Sequence, residues 1–508
     1  MGKVSNIKTF HGLIFQVYHN ESITGSDPWS DKFHRRQGGG HRIASFLRNN
    51  DWDVEVVDFA AQFLLDELKQ IAKSRINKKT YFFAFSCIFS SWPDVIAQFA
   101  AWLKSTYPSI TIIYGGTSWP SVRSPAIDYY ITGYGETAIL KLLKYVTGNA
   151  TRSSLPFDLR FADRKVISAN QSCPAFPLNI LSIDYEERDF LLPDEWTNIE
   201  LSRGCIFKCK FCNYPVLNVK GDYSQNADDF YRSVQSNFDQ FGIKNYYVVD
   251  ETFNDRPDKI EKFADAVEQL SFVPFFSGFI RADLLVNRPN DKENLLRMNF
   301  LGHHYGIESL HYPSAQAIGK GMHPEKLTQG LVEVKQYFQK NKRKIYRGTM
   351  SFIAGLPHET LDTMMSTANW LKNHWDDQSA IWFPLSIPDP DQTSHGWTDS
   401  ISDISMDFMK FGYVKDSSVD KSFLPGDIAW ANENLSYVKC QKFIDVVLPS
   451  RCKEILARPT SLTLDEITYP GQSIDSALTK GYLPTDQTQS LNYRNHIVSS
   501  YKQKKLSI

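Results

Sequence analysis

Glu200-Leu201-Ser202-Arg203-Gly204-Cys205-Ile206-Phe207-Lys208-Cys209-Lys210-Phe211-Cys212-Asn213 sets three cysteines in a C-x3-C-x2-C run. Iron–sulfur clusters usually take four cysteines, so a compact run of three predicts a [4Fe–4S] cluster whose fourth iron stays open to another ligand. Zinc is the competing reading, but it wants four ligands, and no second C-x2-C or histidine pair stands beside the run. Cys205, Cys209 and Cys212 are therefore the candidate catalytic and metal-ligating residues.

Working outward, apolar β-type runs occur at 197–203, 245–249, 275–281, 303–308, 346–354 and 380–386. Helical patterns fall between them at 227–241, 257–270, 291–299, 323–341 and 359–374. Such βα repeats, joined by right-handed crossovers, predict a partial (β/α)6 TIM-like barrel over 197–390. The cysteine run directly follows the first strand, which puts it in a loop at the C-terminal mouth, where barrel active sites are built.

Upstream, Leu13–Val17, Val54–Val57, Tyr81–Ser86 and Ile110–Tyr114 read as strands, with helical patterns at 40–50, 60–73, 93–106 and 136–147. That order predicts an α/β, Rossmann-like, doubly wound domain over 1–150. Residues 151–196 break the rhythm with Pro156, Pro174, Pro177 and Pro193 and read as a linker. Beyond 390 the alternation is lost, and helical segments at 403–412 and 430–448 predict a small, mainly helical C-terminal region over 391–508. The basic run Tyr501-Lys502-Gln503-Lys504-Lys505 is expected to be a frayed, solvated terminus.

Composition narrows the function classes. The 508 residues carry 56 Lys plus Arg against 57 Asp plus Glu, a balance without the single-sign field of a dedicated nucleic-acid binder. Seven cysteines, three of them clustered and the rest scattered, are not a secreted disulfide framework and point to a reducing cytoplasm. No apolar run is long enough for a signal peptide or a membrane span, so a soluble protein with no membrane partner is expected. Cys173 reads as a plain thiol, and Cys440 and Cys452 as buried free thiols. Trp382-Phe383-Pro384, Trp397 and Trp430 could line a substrate pocket or pack a core equally well.

The cysteine loop, with Arg203-Gly204 before it and Phe211 before its last cysteine, resembles that of the radical S-adenosylmethionine (SAM) superfamily. The resemblance implies that SAM binds the open iron and that later strand ends hold the rest of it. Asp250 and Glu251, in Val248-Val249-Asp250-Glu251-Thr252-Phe253-Asn254, match the motif that meets the methionine amine. Gly306-Ile307-Glu308-Ser309 is similar to the fourth-strand glutamate motif. Ile353 and Gly355, in Phe352-Ile353-Ala354-Gly355-Leu356-Pro357-His358-Glu359-Thr360, match the fifth-strand segment whose backbone meets the adenine, and Arg281 is a candidate for the SAM carboxylate. Taken singly, each has a plainer reading: a helix cap at Asp250, an ion pair at Glu308 or Arg281, a turn at Gly355.

The N-terminal part resembles the cobalamin-binding domain that precedes many radical SAM barrels. Gly38-Gly39-Gly40-His41-Arg42 and Val54-Glu55-Val56-Val57-Asp58 match its opening, and Ser86, Gly115, Gly116 and Gly133-Tyr134-Gly135-Glu136-Thr137 its later landmarks. The D-x-H-x-x-G of base-off, His-on cobalamin domains is missing, since Asp31-Lys32-Phe33-His34-Arg35-Arg36-Gln37-Gly38 carries the same residue types at another spacing. His34 is the candidate cobalt ligand, with an exposed loop histidine as the plainer reading. The resemblance implies three cofactors, a [4Fe–4S] cluster, SAM and cobalamin, and cobalamin-dependent methylation of an unactivated carbon. The alternatives are a cobalamin-free radical SAM epimerase, cyclase or rearrangement enzyme with a vestigial domain, and a non-enzymatic iron–sulfur or zinc binding module. It also implies a flavodoxin- or ferredoxin-type electron donor. As substrate, a small molecule or peptide is favoured over nucleic acid.

Overall fold

The computed structural model describes residues 10–17, 36–87, 92–116, 123–157, 162–168, 183–193, 195–212, 224–341, 346–389, 402–419, 427–451 and 487–507. It divides into two compact units, one of Met1–Pro193 with Ser236–Ile243 and Asn492–Ile508, the other of Asp194–Gln235 with Lys244–Leu491. His34, Cys173, Trp397 and Cys452 lie outside the described residues.

In the first unit, β1 (Gly12–Val17), α1 (Gly38–Arg48), β2 (Val54–Val57), α2 (Leu65–Arg75), β3 (Phe82–Cys87), α3 (Asp94–Thr106), β4 (Thr111–Gly116), β5 (Tyr129–Thr132), α4 (Glu136–Val146) and β6 (Val166–Ser168) follow in order. The sheet runs β2-β1-β3-β4-β5-β6 with every neighbouring pair parallel. Parallel strands covered on both faces need apolar side chains on both, and β1 is buried at every position. Alternate residues accordingly enter separate cores: Leu13 and Phe15 join Phe83, Phe99 and Leu103, while Ile14 joins Val56, Ile113 and Leu142.

Two strands here were not expected. β5 and β6 are only four and three residues long, too short to show a periodicity, and β6 lies within the stretch expected to be a linker.

The second unit contains β7 (Trp196–Ile199), the part of α5 (Ala227–Phe241) up to Gln235, β8 (Asn245–Val248), α6 (Pro257–Glu268), β9 (Phe275–Ile280), α7 (Ala282–Asn287), α8 (Pro289–Arg297), β10 (Phe300–Glu308), α9 (Tyr312–Ala317), α10 (Pro324–Asn341), β11 (Arg347–Ala354), α11 (Leu361–His374) and β12 (Ser379–Pro384). Its sheet keeps chain order, β12-β11-β10-β9-β8-β7, all parallel, as an open βα barrel requires. Prolines at the first turn open α6 and α8, where the missing N–H costs nothing. The Thr360 side chain caps α11 by accepting from Thr363 N. β10 starts three residues before the expected 303, because Phe300 and Leu301 are already buried.

Past the barrel come α12 (Asp403–Met406), a two-stranded ribbon of β13 (Val414–Lys415) and β14 (Trp430–Ala431), α13 (Tyr437–Lys442), α14 (Leu448–Arg451) and α15 (Gln487–Leu506). The expectation of a frayed, solvated tail is overturned by α15. Its Tyr501 joins the apolar cluster of β1 and α3 within the first unit, and its Lys505 is fully buried. The apolar stem and ring of these residues pack inward while buried acids of the first unit neutralise the charge. Among the described residues, no helix is long and apolar enough to cross a membrane.

Candidate functional site

The chain leaves β7 at Ile199 and enters the cysteine loop through a buried staple. Asp250, just past β8, accepts from Leu201 N at 2.7 Å and from Ser202 Oγ at 2.6 Å. Lys259 of α6 donates to Ser202 Oγ at 3.0 Å. Burial pushes the Asp250 carboxyl up to about 6, against the opposing pull of Lys259 and these hydrogen bonds. Both Asp250 oxygens thus face the loop's own first residues. Glu251 Oε2 accepts from Gly204 N at 3.1 Å, where a φ of 84° needs glycine. Arg203 turns back to Glu200 at 2.7 Å.

The three cysteines form no disulfide and are partly exposed. Cys205 Sγ lies 3.3 Å from Thr252 Oγ1, Arg281 Nη1 donates to Cys209 Sγ at 3.6 Å, and Cys212 N donates to Cys209 O at 3.1 Å. Lys210 N donates to Ile318 O, and Ile404 N to Lys210 O, both at 3.0 Å, so a barrel loop and α12 pin the middle of the run. Among the described residues no three His, Cys, Asp or Glu side chains already converge as a metal cage. The donor set fits an iron–sulfur cluster nonetheless, because it is all thiol and sits on an irregular loop anchored at its start and middle.

Glu308 ends β10 at a bulge with φ 67°, and its Oε1 lies 3.1 Å from Lys320 Nζ. Lys320 also donates to Gly306 O, and its ammonium stands 5.9 Å from the Phe211 ring. One lysine therefore links the fourth-strand glutamate to the aromatic residue beside Cys212.

Ile353 ends half-buried on β11, and Gly355 follows with φ +91°. Glu359, which the sequence places in the fifth-strand stretch without a role of its own, accepts from Gly355 N at 3.0 Å, Leu356 N at 3.2 Å and Ser309 Oγ at 2.6 Å. It joins the loops after β10 and β11, and burial pushes its carboxyl up to about 7. Tyr413 Oη donates to Gly355 O at 2.8 Å from the other side. Trp430 is fully buried and donates to Leu385 O, and Cys440 is buried beside Gly355, so both belong to the packing behind this turn. Its place in the fifth-strand stretch, four residues past the turn glycine, is the sequence signal for Glu359, and nothing in the local pattern marks Lys320 or Lys259.

In the first unit, the strand order reverses between β1 and β3, the point where doubly wound sheets bind ligands. Register pairs Gln16 with Ser86, Ser86 with Gly115, and Cys87 with Gly116, which brings Ser86, Gly115 and Gly116 together at the C-terminal edge beside that point. A Cβ on Gly115 would have no neighbour within 3.9 Å, and one on Gly39 would touch Ser86 Oγ at 3.4 Å. Gln16 Oε1 accepts from Gly40 N at 3.1 Å and holds the start of α1. The glycines keep side-chain bulk off the edge, which fits a large planar ligand such as cobalamin.

The family model described as radical SAM superfamily matches residues 199–371. The chain is similar in fold to the cobalamin-dependent S-adenosylmethionine radical enzyme OxsB. With aqua-cobalamin and S-adenosylmethionine bound, that structure gives a TM-score of 0.52 at 16% identity over 79% of this chain. With aqua-cobalamin alone it gives 0.53 at 15% identity over 79%. This chain spans 55% and 56% of those two chains. The curated protein sequences give no match.

Proposed function

We propose that this chain, whose residues 199–371 form a radical SAM domain, is an enzyme that cleaves SAM reductively at a [4Fe–4S] cluster held by Cys205, Cys209 and Cys212. The observation that carries the proposal is the convergence of Asp250, Glu251, Thr252 and Arg281, from the ends of two further strands, on the three-thiol loop after β7. With a [4Fe–4S] cluster held by Cys205, Cys209 and Cys212, the bound cluster and SAM together would supply one-electron reductive cleavage of the sulfonium and, from it, hydrogen abstraction at an unactivated position.

The residues of this chain position and shield that chemistry. Asp250 and Glu251 fix the loop backbone, Lys320 holds Glu308 at the β10 bulge, and Glu359 sets the Gly355 turn against the β10 loop. In this reading the Gly355 and Ile353 backbone meets the adenine, Phe211 flanks it, and Glu308 and Glu251 face the methionine end. Electrons come from a flavodoxin- or ferredoxin-type donor in the cytoplasm.

The further reading is cobalamin-dependent methylation of an unactivated carbon of a small molecule or peptide. It is supported by the open glycine edge at the β1/β3 switch point and by likeness to a fold that binds aqua-cobalamin in OxsB. Ser86, Gly115 and Gly116 would hold the ligand, with His34 the candidate for its cobalt. The missing D-x-H-x-x-G favours the second reading, cobalamin-free radical chemistry on a vestigial domain.

Anaerobic reconstitution with iron and sulfide tests the first step. Wild type given SAM and dithionite should release 5′-deoxyadenosine, and Cys209→Ala should lose both that product and the cluster absorbance near about 400 nm. Turnover surviving in Cys209→Ala would sink the proposal. Cobalt content after expression with hydroxocobalamin separates the two finer readings.

A further inference from the structure

Arg281, the residue after β9, is held from several directions. Its backbone N–H donates to Asn254 Oδ1 at 2.7 Å and its carbonyl accepts from Asn254 Nδ2 at 3.0 Å, with Asn254 fully buried. Its Nε and Nη2 donate to the two Asp283 oxygens at 2.8 and 3.1 Å, a planar fork on a planar carboxylate. The guanidinium carbon lies 3.6 Å from the centroid of Phe207, which stands inside the cysteine run between Cys205 and Cys209. These contacts orient the remaining nitrogen, Nη1, whose N–H donates to Cys209 Sγ at 3.6 Å.

From this geometry, and resting on the reading of a [4Fe–4S] cluster on Cys205, Cys209 and Cys212, we propose that Arg281 tunes the cluster: its Nη1–H···Sγ hydrogen bond and fixed positive charge at Cys209 raise the cluster's reduction potential. The added electron increases the negative charge on the cluster sulfurs. A donor and a cation at one sulfur therefore stabilise the reduced state more than the oxidised one. Burial strengthens the effect, because the side chains of Phe207 and Asp283 replace water around the guanidinium. Arg281 is a positioning residue in this scheme. The Asp283 fork and the Phe207 ring aim it, and it needs no contact with SAM.

The experiment is a redox titration of the reconstituted full-length chain without SAM, read by the electron paramagnetic resonance signal of the reduced cluster. In Arg281→Met the ratio of reduced to oxidised cluster at the wild-type midpoint should fall about tenfold, a shift of about 59 mV for a one-electron couple. Arg281→Lys, which keeps the charge but not the fork, should fall between the two. If Arg281→Met loses the cluster, Arg281→Gln is read in the same way. A midpoint equal to wild type in a fully loaded variant overturns the assignment, and weakened SAM binding with that unchanged midpoint would place Arg281 on the SAM carboxylate instead. Wild type that takes up no iron overturns the cluster reading, and this one with it.

Discussion

Lys505 of α15 lies fully buried with its ammonium 2.6 Å from Glu55 on β2. Arg75 of α2 completes the group at 2.9 Å from the same carboxylate oxygen. Burial alone would push the Glu55 carboxyl up, but Lys505 and Arg75 together hold it below its usual range. The C-terminal end of α15 is thus part of the first unit's interior. Lys505→Met removes one of the two cations on Glu55 together with the Lys505 hydrogen bonds to Val56 O and Arg188 O, and the expected loss is about 2 kcal/mol. Urea denaturation of the variant checks it, and a loss under about 0.5 kcal/mol, the scale of an ordinary surface substitution, would contradict the pairing.

Asp58 sits between Arg36 at 2.8 Å and His41 at 3.0 Å. Burial raises its carboxyl, yet His41 and Arg36 outweigh burial and hold it down to about 2. A carboxyl depressed on folding contributes stability above its unfolded value and loses it as pH falls through the folded one. The Asp58 contribution, of order 2 kcal/mol, should therefore be complete at pH ~5 and fade as the pH falls from ~4 to ~2. Denaturation of wild type and Asp58→Asn across that range should show their stabilities converging in acid.

Asp250→Ala leaves Leu201 N and Ser202 Oγ without their shared acceptor inside the barrel unit. The expected cost is about 3 kcal/mol, together with fewer irons bound per chain after reconstitution. Asp250→Asn, which keeps one oxygen, should recover part of both. Full iron uptake in Asp250→Ala would show that the staple is not needed to shape the loop.

Gly355→Ala would add a Cβ 2.1 Å from Trp430 at a backbone φ of +91°. Backbone strain of about 1–3 kcal/mol and the clash both act against folding. A melting temperature lowered by several degrees, about 2–4 °C per kcal/mol for a large domain, is the expected reading. Weaker SAM binding should accompany it if the turn meets the adenine.

Much of the architecture was legible because parallel βα units write themselves locally. Runs such as Phe82–Cys87 must be apolar on both faces, and helices such as Pro257–Glu268 carry a one-sided stripe and a proline start. The three cysteines were legible for the same reason, since all their ligand spacing lies within eight residues. β5 and β6 escaped because strands of four and three residues are held by their neighbours in the sheet and carry no period of their own.

By itself, then, the sequence determined two βα units and a thiol loop placed after the first strand of the second. Only tertiary structure decided what surrounds that loop. Asp250, Lys259, Arg281, Lys320 and Glu359 stand 38 to 147 residues beyond Cys212 along the chain, and their partners are backbone groups, hydroxyls, carboxylates and one thiol. The basic tail shows the same division most sharply. Lys505 reads as solvated from its neighbours alone, and becomes a core residue because the carboxylate of Glu55, more than 400 residues away along the chain, pairs with its ammonium and offsets the cost of burying it.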